Sequence, residues 1–113
     1  MSAGTYNTTL EQGATFSRTL TYKDAAGNAI DLTGYTARMQ ARPYVGSPNK
    51  VLDLTTENGG ISIAAATGKI TWTVAASVTA AIKQDSLVYD LELIAPDGTV
   101  TRVIQGTLTV SKR

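Results

Sequence analysis

Cysteine and histidine are both absent from this chain of 113 residues. Without cysteine there is no disulfide, no thiolate nucleophile and no Cys-ligated zinc. Without histidine the commonest general base, the Ser-His-Asp triad and imidazole metal sites are excluded as well. Charge is scarce: Lys+Arg 10 and Asp+Glu 9 leave a net +1, and only 17% of residues are charged. So balanced a chain projects no long-range field, and neither nucleic acid nor a membrane is an expected partner. No apolar run approaches the ~20 residues that span a bilayer. The opening Met1, Ser2, Ala3, Gly4, Thr5 lacks the basic-then-apolar order of a signal peptide. A soluble protein made in a cytoplasm is the expectation.

What is present is short-range alternation. Apolar residues make up 42% of the chain, enough for one two-layer core. Tyr35, Ala37, Met39 and Ala41 alternate with Thr36, Arg38, Gln40 and Arg42, so the first set faces a core and the second faces solvent. Ile70, Trp72 and Val74 share a face, with Trp72 the natural centre of the core. Strands are also expected at 8–13, 14–22, 51–55 and 61–63. A closing hairpin joins 87–95 to 99–111 through Pro96, Asp97 and Gly98. In its second strand Val100, Ile104, Leu108 and Val110 share a phase that Arg102 and Gly106 interrupt, which predicts a bulge near Gly106. Gly27 and Asn28 suit positive φ in a turn. Arg18 breaks the apolar face of its strand and reads as an edge position, stem packed and guanidinium in water. The one helical candidate has Ser77 as cap, with Val78, Ala81 and Ile82 inward. The pattern predicts an all-β, antiparallel β-sandwich of seven to nine strands with one short helical turn. Residues 1–9 read as a flexible N-terminal arm and 10–113 as a single β-sandwich domain.

Chemistry is hard to find. Asp24, Asp31 and Asp97 sit in turns, where a side-chain oxygen bonding the backbone accounts for them. Asp90 and Glu92 lie on one strand face about 7 Å apart. That spacing occurs in glycosidases, but alternation alone requires polar residues there and no other part of such a site is visible. The calcium-loop spacing is absent, and Gly59-Gly60 opens no phosphate loop. No catalytic, cofactor or metal residue is assigned. Arg38, Gln40 and Arg42 form a basic-polar stripe without the aromatic platform that stacks bases; a solvated strand face is the first reading of it and protein contact the second. Tyr6 and Tyr44 are the two aromatics placed for an outer surface.

The runs Leu10-Glu11-Gln12-Gly13-Ala14-Thr15-Phe16, Asp31-Leu32-Thr33-Gly34-Tyr35-Thr36-Ala37-Arg38-Met39-Gln40, Tyr89-Asp90-Leu91-Glu92-Leu93 and Pro96-Asp97-Gly98-Thr99-Val100 resemble small structural proteins of tailed bacteriophages. In layout they are similar to the amino-terminal domain of the siphophage baseplate upper protein family. The resemblance covers roughly Leu10 to Val110 and is carried by strand and turn signatures. It implies an immunoglobulin-like sandwich with no enzymatic role, used as a virion building block that contacts tail, baseplate or capsid proteins, as a homo-oligomer within the assembly. That family continues into a helical, receptor-binding region; this sequence stops at Arg113, so a stand-alone module in the virion is expected. Thr5 and Tyr6 in the arm, Arg38, Gln40 and Arg42 on the strand face, and Tyr44 in the following loop are the candidate protein-interface residues. The alternatives are a capsid decoration protein and, from another class, a carbohydrate-binding or adhesion module using Tyr6 and Tyr44.

Overall fold

Inward and outward residues alternate along nearly every strand, and that alternation sorts the chain into two layers. The computed structural model describes residues 4–112. The elements are β1 (Gly4–Thr5), β2 (Thr8–Glu11), β3 (Phe16–Thr21), β4 (Thr36–Arg42), β5 (Leu52–Thr55), β6 (Ile61–Ala64), β7 (Lys69–Val74), α1 (Ala76–Ala80), β8 (Ser86–Ile94) and β9 (Val100–Ser111). A 3₁₀ turn, Ala65–Thr67, joins β6 to β7. The larger sheet runs β1–β9–β8–β4–β5, with β2 also on β9; the smaller runs β3–β7–β6.

The core lies between them. Ala37, Met39 and Ala41 of β4, Leu87, Tyr89, Leu91 and Leu93 of β8, and Ile104, Leu108 and Val110 of β9 face Phe16, Ile61, Ile70, Trp72 and Val74 of the smaller sheet. Each large side chain buried this way contributes about 1.5–3 kcal/mol. Trp72 is 1% exposed, at the centre as its pattern predicts. Its indole Nε1 is buried with no hydrogen-bond partner among the described residues. Tyr35 lies just before β4 and packs half-buried against the core edge.

The pairing departs from the sequence reading at the N-terminus. Residues 1–3 of the expected arm lie outside the described residues. Gly4–Thr5 and Thr8–Glu11 are sheet, interrupted at Tyr6 and Asn7, and the pairing is parallel: Gly4 pairs with Ile104, Thr5 with Gln105, and Thr8 to Glu11 with Leu108 to Ser111. Leu10 is fully buried and anchors it. All other strand pairs among the described residues are antiparallel.

The expected bulge lies elsewhere. Leu91 pairs with Ile104 but Glu92 with Arg102, so Val103 is the extra residue. It flips the phase of β9, which turns Arg102 outward and leaves Val100 48% exposed rather than sharing the core face. Gly106 pairs regularly with Tyr89 and serves another purpose. A Cβ there would fall on the Tyr6 carbonyl, 2.7 Å from its carbon and 2.8 Å from Asn7 Oδ1. The backbone between β1 and β2 occupies the space a side chain would take.

The helix differs in its cap. Ala75, in extended conformation, precedes α1 without a side-chain cap, and Ser77 is exposed inside the turn. Val78 is 44% exposed and Ala81 is exposed; Thr79 and Ile82 point inward instead. Thr79 Oγ1 accepts from Gly13 N (3.0 Å) and donates to Ala14 O (2.8 Å). A polar side chain is buried there because it satisfies the backbone of the β2–β3 turn.

The turn aspartates behave as read. Asp24 Oδ1 accepts from Ala26 N and Asn28 N, Asp31 from Thr33 N and Oγ1, and Asp97 from Thr99 N. These bonds hold the Asp31 and Asp97 carboxyls below the ordinary carboxylate value. Gly27 takes positive φ but Asn28 does not, since every positive-φ residue described is glycine.

Candidate interaction face

Strand register assembles the outer face of the larger sheet from rows that cross it. Arg38 lies opposite Glu92, and Glu92 opposite Arg102; Gln40 lies opposite Asp90, and Asp90 opposite Gln105; Arg42 lies opposite Val88, and Val88 opposite Thr107. Arg38 Nε donates to Glu92 Oε1 at 2.7 Å, and Arg102 Nε lies 3.4 Å from Asp90 Oδ2. The Glu92 bond raises Arg38 further above its already high value. Asp90 moves the other way: burial, then the Glu92 charge, raises its carboxyl above the ordinary value despite three nearby arginines. Arg42 makes no ion pair among the described residues; its Nη2 donates to Gln40 Oε1 at 2.8 Å.

Two walls turn this face into a cleft of about 690 Å³. One is the N-terminal segment, through Thr5 and Asn7; the other is the loop after β4, through Val45, Gly46 and Ser47. Asp90, Gln40, Arg42, Val88, Arg102 and Gln105 line the floor. The first wall is held by a buried anchor. Tyr89 Oη donates to Tyr6 O at 2.6 Å, and Thr107 N donates to Asn7 Oδ1 at 2.9 Å. Burial, with a smaller contribution from Tyr6, pushes the Tyr89 phenol up to about 12, so it remains a donor at neutral pH. On the second wall Ser47 is buried and accepts from Asn49 N, while Tyr44 and Val45 stand 61% and 85% exposed.

The six candidate residues therefore separate into groups. Thr5, Gln40 and Arg42 converge on the cleft although they are far apart in sequence. Arg38 lies on the same face but is engaged by Glu92. Tyr44 projects beside the cleft without lining it, and Tyr6 contributes its backbone rather than its 39%-exposed ring. No group of three or more His, Cys, Asp or Glu able to hold a metal occurs among the described residues.

No family model matches the chain, and no curated protein matches it. Among solved structures it is similar to a chicken TCR, with a TM-score of 0.58 and 13% identity over 98% of this chain and 54% of that one. The chain thus spans about half the length of that receptor chain. Such a likeness shows the fold. This is an immunoglobulin-like β-sandwich.

Within that sandwich, Asn7, Val45, Asp90, Arg102 and Gln105 are site residues that sequence reasoning did not assemble. Alternation had marked Asp90 as outward, and Tyr44 had marked the loop. Which outward residues become neighbours depends on strand register and on the Val103 bulge; the interruption at Arg102 signalled an irregularity in β9 without placing it.

Proposed function

We propose that this sandwich is a non-enzymatic building block of a tailed-phage virion, docking on the tail or baseplate by protein–protein contacts. The observation that carries the proposal is the walled cleft on the larger sheet. Its charges are internally paired except for Arg42, and exposed Tyr44 and Val45 stand at its border. Paired charges are cheaper to bury against a partner than lone ones. Tyr and Arg are the residue types that most often anchor such contacts. The virion setting comes from the strand and turn resemblance.

The test is the copy number of the chain in washed particles of the phage that encodes it, by quantitative mass spectrometry against the major capsid protein. A few to some tens of copies per particle is the expected result. Hundreds would make it a capsid decoration protein, and absence would overturn the virion role. In the same assay, Arg42→Glu with Tyr44→Ala is expected to lower incorporation at least ~10-fold while leaving the melting temperature unchanged.

A further inference from the structure

Among the described residues the sandwich has four strand edges, and three are blunted. β5 is short, and Asn58 folds over it, donating to Asp53 O and accepting from Thr55 N, both at 2.9 Å. The β1–β2 edge is broken at Tyr6 and Asn7, and its Thr9 carbonyl accepts from Arg18 Nη2 at 3.2 Å. β6 is four residues long and runs directly into a 3₁₀ turn. β3 is different. It is an edge because the strand that precedes it pairs with β9 of the other sheet, and its six regular residues hold no proline, no lysine and no bulge; Arg18, bonded to the Ser17 carbonyl, is its one charge.

Backbone polarity along β3 follows from its neighbours. Thr73 N donates to Gly60 O, toward β6, so its pair Ser17 is not bonded to β7. Tyr22 N donates to Gly68 O, which puts the even residues of β3 on the β7 side. Ser17, Thr19 and Thr21 therefore aim their N–H and C=O groups outward. Consistent with this, Arg18 Nη1 reaches the Ser17 carbonyl at 2.8 Å.

We infer that β3 is an edge by which two copies of this chain join, strand to strand and antiparallel, about a two-fold axis at Thr19. Only odd residues present bonding groups, so the longest register sets Thr19 against Thr19 and Ser17 against Thr21 of the second copy. Each is a hydrogen-bonded pair. The row is self-complementary: it carries hydroxyls and no charge, and Ser/Thr cross-strand pairs are favourable. Arg18 comes opposite Leu20 of the second copy rather than opposite its Arg18. It gives up the Ser17 carbonyl but keeps Thr8 Oγ1 (3.1 Å) and Thr9 O. The Ser17–Thr73 and Thr19–Thr71 hydroxyl contacts (3.2 and 3.0 Å) then continue across a six-stranded sheet. This edge lies on the sheet opposite the cleft, so the two surfaces are independent.

The test uses the full chain, by sedimentation over a micromolar-to-millimolar range and by amide hydrogen exchange at both ends of it. The expected result is a reversible dimer in which the Thr19 and Thr21 amides gain at least ~10-fold protection with concentration. Thr19→Lys, which places two ammonium groups at the axis, is expected to abolish the dimer without changing the fold. Thr19→Pro removes an outward N–H and gives an independent second variant. A monomer at millimolar concentration would overturn the inference. So would a dimer whose Thr19 and Thr21 amides stay unprotected, or one that survives both substitutions undiminished.

Discussion

The two outer faces of this sandwich obey one alternation rule and present different chemistry. Across the larger sheet the outward residues include Arg38, Gln40, Arg42, Asp90, Glu92, Arg102 and Gln105, walled by two chain segments. Across the smaller sheet they are Ser17, Thr19, Thr21, Ser62, Thr71 and Thr73, with Lys69, and the sheet ends in an open strand edge. Exposed ion pairs contribute about 0–1 kcal/mol each, and exposed hydroxyl pairs contribute little more. Neither outward set is needed to hold the core, so what differs is how each face can be recognised. The larger sheet offers side chains around a cleft, and the smaller sheet offers backbone along an edge. Beneath the larger face lies a further asymmetry, the Tyr6 crossing over Gly106, which ties its rim to buried structure.

That asymmetry is where the largest effect is expected. Gly106→Ala forces a methyl against the Tyr6 carbonyl. It should cost about 1–3 kcal/mol in urea denaturation and release the Tyr6 and Thr107 amides to exchange, leaving those of β7 protected. If stability and exchange were unchanged, the larger face would have no buried anchor and the comparison would collapse to surface composition.

Next is the anchor bond itself. Tyr89→Phe removes the donor to Tyr6 O and should cost about 1 kcal/mol at pH 7. The phenol titrates near 10.0 when unfolded and near 12 when folded, since burial disfavours its charged form. Its contribution is complete below pH 10 and is lost as pH rises toward 12, at up to about 1.4 kcal/mol per pH unit. Melting curves at pH 9 and pH 11.5 should therefore fall less steeply for Tyr89→Phe than for the parent.

A double-mutant cycle on Arg38 and Glu92 should return a coupling of about 0.2–1 kcal/mol, shrinking in high salt. A larger, salt-insensitive coupling would mean that the charged face stabilises the fold after all. The smallest change is expected opposite it. Thr19→Val with Thr71→Val replaces the exposed hydroxyl pair by methyls and should shift stability by less than about 0.5 kcal/mol. A loss beyond 1 kcal/mol would show that the hydroxyl ladder is structural rather than a solvated face.

The strands of the core were legible in advance because period-2 alternation survives in them: Ala37, Met39 and Ala41 are buried as read, and Ile70, Trp72 and Val74 likewise. The turn aspartates were legible because their bonds are local, two to four residues away. Misreadings arose wherever a distant segment decided the outcome. Residues 4–9 look like an arm because they are small and polar, yet β9 supplies their partners about a hundred residues later. Val78 looks like the inward residue of α1, but the β2–β3 turn needs a hydroxyl and Thr79 supplies it. Gly106 reads as a bulge because a glycine in a strand usually marks irregularity; here it marks a crossing backbone.

By itself, the sequence determined an all-β sandwich, which residues lie inward on its central strands, and the positions of its tight turns. These follow from alternation and from hydrogen bonds within a few residues, which any fold of the chain must respect. Tertiary structure alone decided the parallel docking of β1 and β2, the Val103 bulge, the cleft that gathers Thr5, Gln40, Arg42 and Asp90, and the open edge at β3. Each of these depends on which strand lies beside which and in what register, and alternation within one strand shows which face is buried but not which distant strand lies next to it.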